Sequence, residues 1–122
     1  MKLKDRLKEF IKIDCDWYFD KEERKICVYG SSWWGADTKK EYNKQEKLIQ
    51  KYKVENNLFS LYCWCDISGY DYWMVQQEES NYVSIDVVLK KKKYTDEELI
   101  QIREEIIKAD IYFIENLEQY NY

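Results

Sequence analysis

The sequence has no histidine, no proline and only three glycines. Histidine is the commonest general base and the commonest transition-metal ligand, so its absence argues against many enzyme and metal-site classes. No apolar run is long enough to cross a membrane, and the charged N-terminus MKLKDRLKEF lacks the apolar segment of a signal peptide. We therefore expect a cytoplasmic protein that has reduced cysteines and no cofactor and is not an enzyme.

Aromatic residues are abundant instead. The 122 residues include 12 tyrosines and 5 tryptophans, and the formal net charge is −4. This length indicates a single domain, 1–122, that is large enough to bury a core without disulfides or metals. Because the net charge is negative, the whole molecule would repel phosphate. We therefore expect no direct binding to nucleic acid and no association with membranes.

Hydrophobic periodicity predicts an α+β fold in the order α-β-β-α-β-β-β-α. The sheet should have four to five mostly antiparallel strands, and three helices should accompany it. The first helix is predicted over 2–12, the second between 38 and 55, and the third from a capping box at Thr95 and Glu98. Strands are predicted at 13–20, 26–28, 58–67, 72–77 and 82–89, and a loop over 30–35.

The last helix carries two apolar stripes. At 100° per residue, the first contains Leu99, Ile102, Ile106, Phe113 and Leu117, and the second contains Ile100, Ile107, Ile111 and Ile114. One stripe can pack on the sheet, and the other needs a different partner. Helix 1 is the favoured partner; the alternative is a second copy of the chain, which would make a homodimer through the last helix.

The four cysteines raise the question of a metal site. Cys63 and Cys65 are two residues apart on one predicted strand, so they share a face at a spacing of about 6.6 Å. That spacing is too long for two thiolates of one tetrahedral zinc ion. Cys15 and Cys27 fall on opposite faces of the predicted hairpin. We therefore expect no metal, and we expect Cys15, Cys63 and Cys65 to be small buried hydrophobes.

The outward positions of the predicted sheet are aromatic and acidic. An exposed patch of this kind usually marks an interaction site. Two structural alternatives remain open: helix 2 could cover this face, or a shift of one residue in register could exchange the two faces. The candidate binding residues are Asp16, Tyr18, Tyr62, Trp64, Asp66, Tyr82 and Asp86, with Trp33 and Trp34 as anchors in the loop.

Carboxylates beside aromatic rings suit a cationic partner, because Arg and Lys stack on rings and pair with acids. The favoured function is an inhibitor that engages a basic protein such as a toxin, a nuclease or a nucleic-acid-binding effector. Immunity proteins and anti-defence proteins, including anti-CRISPR proteins, inhibit their targets in this way. The expectation rests on charge and size and not on any family motif.

Two other functions remain open. The first is a small-ligand or nucleotide-binding module that uses the same aromatic surface. The second is a Mg²⁺- or Mn²⁺-dependent enzyme that uses Asp14 and Asp16, since hard cations prefer carboxylates. A single Asp-x-Asp pair is a weak signal, because solvated acids on strands are more common. The lysine run 90–93 is expected to protect a sheet edge or to orient a partner.

Overall fold

The computed structural model describes residues 2–34, 39–65 and 81–117, with the side chains of 31–34, 39, 65, 81 and 82 left out. These residues form three helices and one five-stranded antiparallel sheet with the strand order β1-β2-β5-β4-β3. The predicted α+β fold is therefore confirmed. In chain order the elements are α1 (Leu3–Phe10), β1 (Asp16–Asp20), β2 (Lys25–Trp34), α2 (Lys39–Lys51), β3 (Lys53–Glu55), β4 (Phe59–Cys65), β5 (Asn81–Leu89) and α3 (Asp96–Asn116).

One face of the sheet forms one side of the hydrophobic core. Alternate residues of the three central strands point to it, as the period of two requires. Ile85 of β5 lies between Val28 of β2 and Cys63 of β4 in the strand register. The predicted inward positions are thus confirmed, and the alternative register shifted by one residue is excluded. The buried strand residues are Ile26, Val28, Phe59, Leu61, Cys63, Val83, Ile85, Val87 and Leu89.

All three helices pack on this same face. Leu7 of α1, Tyr42 and Ile49 of α2, and Ile102 of α3 belong to one buried cluster together with the inward strand residues. The alternative in which helix 2 covers the outward face is therefore wrong. Among the described helices, none combines the length and hydrophobicity that spanning a membrane requires.

Helix α3 begins at the predicted capping box. The Thr95 hydroxyl accepts a hydrogen bond from the Glu98 N–H, and the Glu98 carboxylate accepts one from the Thr95 N–H. The first apolar stripe is buried as predicted. In the second, Ile100, Ile111 and Ile114 are exposed. The favoured prediction that helix 1 covers this stripe is wrong, because α1 directs its apolar side chains into the core beside α3. Coverage by a second copy stays a prediction.

Strand β2 is longer than predicted, and β1 is shorter because it begins at Asp16 and not at 13. The glycine and serines of 30–35 suggested a loop, yet β2 continues to Trp34 because β5 is long enough to pair with it: Trp33 faces Tyr82 across the ladder. The register shifts between Tyr29 and Trp33, which marks a bulge. Helix α2 ends early, at Lys51, and the missed strand β3 follows it, paired with β4. The predicted strand 72–77 lies outside the described residues.

Gly30 allows α3 to lie close to β2. A Cβ atom at this position would lie 2.7 Å from the Val83 carbonyl oxygen and 3.2 Å from Oδ1 of Asp110. The first atom belongs to the backbone of β5 and cannot move without disturbing that central strand. The Asp110 carboxylate also accepts a hydrogen bond from the Cys15 thiol, with 3.6 Å between Sγ and Oδ2. Glycine therefore fixes how closely the helix approaches the strand.

Candidate binding face on the open side of the sheet

The outward side of the sheet, here called the open face, is built in rows that cross the strands. One row runs from Tyr18 through Cys27 and Asp86 to Tyr62. The adjacent row also runs from β1 to β4 and lies two residues away from the first on each strand. Its members are Asp16, Tyr29, Ser84 and Trp64.

Four large aromatic side chains on the open face are accessible to solvent. Tyr18 is 51% exposed, Tyr29 47%, Tyr62 36% and Trp64 39%. The rings of Tyr18 and Tyr29 form a tilted pair with centroids 6.3 Å apart. The predicted exposure of Tyr18, Tyr62 and Trp64 is confirmed. The alternation of β2 also places Tyr29 on the outward side, but Tyr29 was not among the candidate binding residues.

Asp86 lies on the open face but is only 3% exposed. The indole N–H of Trp64 donates to its Oδ2 at 2.9 Å, and the ammonium of Lys25 lies 3.6 Å from the same oxygen. The prediction that Asp86 presents an exposed charge is therefore wrong. Its carboxylate instead holds the Trp64 ring in place and compensates a neighbouring cation.

Lys25 is a second residue of this face that was not among the candidate residues. Burial opposes its charge, but a hydrogen bond with Glu23 and the nearby Asp86 carboxylate outweigh burial and raise the pKa of Lys25. The ammonium is therefore kept protonated. The alternation of β2 could have identified Lys25, because it puts Lys25 on the same face as Cys27. Cys27 in turn pairs directly with Asp86.

Exposed carboxylates lie at both edges of the open face: Glu55 of β3 pairs with Ser60 at one edge, and Asp16 of β1 lies at the other. Asp16 is exposed, faces Tyr29 across the ladder and precedes Tyr18 by two residues. Asp20 is half-buried, and its Oδ1 accepts the backbone N–H groups of Glu22 and Glu23 at 3.0 and 3.2 Å. Asp16 is therefore the exposed carboxylate next to the tyrosine pair, while Asp20 shapes the turn.

The titratable groups beside Asp86 stay protonated at neutral pH. Burial raises the pKa of the Cys27 thiol, although a hydrogen bond with Tyr18 opposes this. That hydrogen bond is also the main reason why the pKa of Tyr18 is raised to about 12. Neither group can serve as a nucleophile or a base near pH 7.

Of the cysteines that were expected to be small buried hydrophobes, Cys63 matches the expectation and Cys15 does not, because the Cys15 thiol is half-buried and donates to a carboxylate. Cys63 is 4% exposed, and burial raises its pKa to about 12, so it is a small buried hydrophobe. Cys15 is half-buried against Asp110. Within 2–34, 39–65 and 81–117, no group of three or more acids or cysteines is arranged to hold a metal ion. Asp14, the partner of Asp16 in the metal hypothesis, lies before β1.

Several predicted site residues cannot be placed on the open face. Trp33, Trp34 and Tyr82 lie on paired strands, but their side chains are outside the described set. Asp66 and the side chain of Cys65 are outside it as well. The structure therefore brings together Asp16, Tyr18, Tyr62, Trp64 and the buried Asp86 on one face.

Comparison of the chain with protein-family models, with curated proteins and with solved structures gives no match. The function is therefore argued from the chemistry of the open face.

Proposed function

We propose that this chain is a non-enzymatic binding protein that docks a basic protein on its open face and inhibits it. The observation that carries the proposal is the group of four exposed aromatic rings on a sheet face that the three described helices leave uncovered. Tyrosine and tryptophan are enriched in interfaces and dominate their energetics. A contiguous apolar surface on a sheet usually serves such a contact.

The charge distribution favours a cationic contact on the β1 side. An arginine placed against Tyr18 and Tyr29 would meet two ring faces and the Asp16 carboxylate. Proteins that handle nucleic acid carry such arginines and lysines to bind phosphate. Tyr62 and Trp64 would then contact a less polar part of the partner. Occupying a basic groove in this way would exclude nucleic acid from it.

The experiment is affinity capture from host lysate with three tagged baits, followed by mass spectrometry. The baits are the wild type, the double variant Tyr18→Thr/Tyr29→Thr, and the control Ile111→Gln/Ile114→Gln. The control removes two exposed apolar side chains from the opposite side of the molecule. We expect the wild type and the control to recover the same basic protein at low salt, and the tyrosine variant to lose it.

The recovered protein is then purified and titrated directly against each bait. A salt-sensitive dissociation constant that rises at least tenfold in the tyrosine variant would support the proposal. Equal affinity of the wild type and the tyrosine variant would move the interface elsewhere. Recovery of an acidic partner, or binding that salt does not weaken, would contradict the cationic contact.

A groove beside Tyr62 supports a second candidate, a small-ligand or nucleotide-binding module. It encloses about 590 Å³ near the end of β3 and is lined by Gln50, Lys53, Glu55, Ser60, Leu61, Tyr62 and Cys63. The groove is open, whereas ligand pockets usually bury most of the ligand surface, so this candidate ranks second. Thermal stabilisation by a nucleotide that Lys53→Gln abolishes would favour it over the protein interface.

A further inference from the structure

A basic groove lies between α1 and the turn that joins β1 to β2, away from the open face. Its volume is about 530 Å³. Two apolar side chains, Leu3 and Phe19, also line it, and both are half-buried. Five cationic residues line its walls: Lys2, Lys4, Lys8, Lys21 and Arg24.

The positive charge of the basic groove is largely uncompensated. Asp5 is the single acid among its described lining residues. The salt bridges found in the described part of the chain involve other lysines and arginines and none of the groove residues. A chain with a net charge of −4 thus concentrates cations in one place. Such local concentration attracts anions even when the whole molecule is acidic.

Two arginines extend this basic surface by anchoring the loop after β5. Arg24 has a left-handed backbone, with φ of 52°, and its guanidinium donates to the Lys91 carbonyl at 2.6 Å. Arg6 of α1 donates to the Tyr94 carbonyl and pairs with Asp96. The loop that is held in this way carries two further exposed lysines, Lys92 and Lys93. The cationic surface therefore continues beyond the groove.

The shape and the composition of the groove decide which anion it suits. An open groove with lysines on both walls and an aromatic ring inside is the arrangement that tracks a single nucleic-acid strand. A membrane surface would require exposed apolar side chains on α1, but Leu7 is buried and Leu3 and Phe10 are half-buried against the core. Phosphopeptide sites rely on bidentate arginines, and four of the five cations here are lysines.

We propose that the basic groove binds the phosphate backbone of single-stranded nucleic acid. Lysines of both walls contact successive phosphates, and Phe19 offers a surface for base stacking. This local binding departs from the expectation based on net charge alone. The overall negative charge keeps the affinity modest and makes it strongly dependent on salt.

The test is fluorescence anisotropy with labelled oligo(dT) and oligo(U), titrated at several salt concentrations. The variant is Lys4→Gln/Lys8→Gln, which removes two exposed cations of the groove without creating a charge. The control is Lys44→Gln/Lys47→Gln, which removes two exposed lysines from α2. Both variants lower the net charge equally, so only the position of the lost cations differs.

We expect the groove variant to bind about tenfold more weakly than the control at low salt. The slope of log affinity against log salt should be less steep in the groove variant by about 1.4, which is about 0.7 for each lost phosphate contact. Circular dichroism spectra must show that both variants are folded. Three results would overturn the proposal: no binding by the wild type at low salt, equal weakening in both variants, or binding to anionic phosphatidylserine vesicles but not to either oligonucleotide.

Discussion

Neighbouring residues of β5 are buried to nearly the same extent on the two faces of the sheet, but by different chemistry. On β5, Ile85 and Val87 are fully buried against apolar neighbours under the helices, whereas Ser84 and Asp86 are 3% exposed on the open face. Burial of Ile85 needs only complementary shape. Burial of Asp86 needs a donor and a cation, which Trp64 and Lys25 supply. One face therefore stabilises the fold, and the other fixes aromatic rings in a geometry suited to binding.

The largest expected effect separates the two faces directly. Phe59 is fully buried on the core side, so Phe59→Ala should lower the free energy of unfolding by about 3–5 kcal/mol. Tyr29 is 47% exposed on the open face, so Tyr29→Thr should change it by less than about 1 kcal/mol. Urea unfolding followed by circular dichroism measures both. Similar losses in the two variants would mean that the open face is also core.

A second substitution tests how closely the helix layer is held to the sheet. Gly30→Ala places a methyl group 2.7 Å from the Val83 carbonyl oxygen, a backbone atom of the central strand β5. We expect a loss of about 2 kcal/mol, in the range that overpacking causes. The control is the Tyr29→Thr variant, one residue away and directed to the opposite face. A neutral Gly30→Ala would show that α3 and β5 can move apart at no cost.

Sequence patterns predicted the core side well because local periodicity determines it. The alternation of β5 identified Val83 and Ile85 as buried, and the spacing of Thr95 and Glu98 identified the start of α3. These features depend on neighbours within one element. The strand β3 was missed because its three residues have too little pattern of their own and form a strand only by pairing with β4.

The sequence predicted which residues lie on the open face but not how exposed each of them is. Alternation placed Asp86 on the outward side, and it lies there. Its burial depends on Trp64, 22 residues earlier in the chain, and on Lys25 of β2. Only the order of the strands brings these three together, and periodicity does not contain that order. The side on which helix 2 packs was likewise left open, because its amphipathic pattern fits either face of a sheet.

A third substitution isolates the polar contact that distinguishes the open face. Trp64→Phe keeps an aromatic ring but removes the N–H that donates to Asp86 at 2.9 Å. We expect a loss of about 1–2 kcal/mol, because a buried carboxylate then has one donor fewer while Lys25 remains beside it. Differential scanning calorimetry and urea unfolding both report this change.

A double-mutant cycle with Asp86→Asn separates the hydrogen bond from the change in ring size. If the bond is the cause, Trp64→Phe should cost clearly less in the Asp86→Asn background than in the wild type. An unchanged cost would assign the loss to packing of the larger indole ring. The open face would then be stabilised in the same way as the core.

The smallest effect compares one thiol from each face, Cys63 and Cys27, in alkaline solution. The pKa of Cys63 is about 12, raised by burial and by the Asp86 charge. Above the pKa of an unfolded thiol, about 8.5, the unfolded chain has lost this proton while the folded chain keeps it, so stability falls as the pH rises. At about pH 9.2 the loss should be about 1 kcal/mol.

Cys63→Ala removes this titration, so its unfolding free energy should decline less steeply than that of the wild type between pH 8 and about 10. Cys27→Ala should flatten the profile less, because the hydrogen bond with Tyr18 opposes the effect of burial on the pKa of Cys27. The raised pKa values of Tyr52 and Tyr18 depend partly on these two thiols, but an unfolded tyrosine has a pKa of about 10, so their contribution stays small below that pH. Urea unfolding in a reducing buffer at each pH gives the profiles. If both substitutions reduce the pH dependence of the unfolding free energy equally, the two faces remove water from a thiol to the same extent. The open face would then be no more solvated than the core beneath the helices.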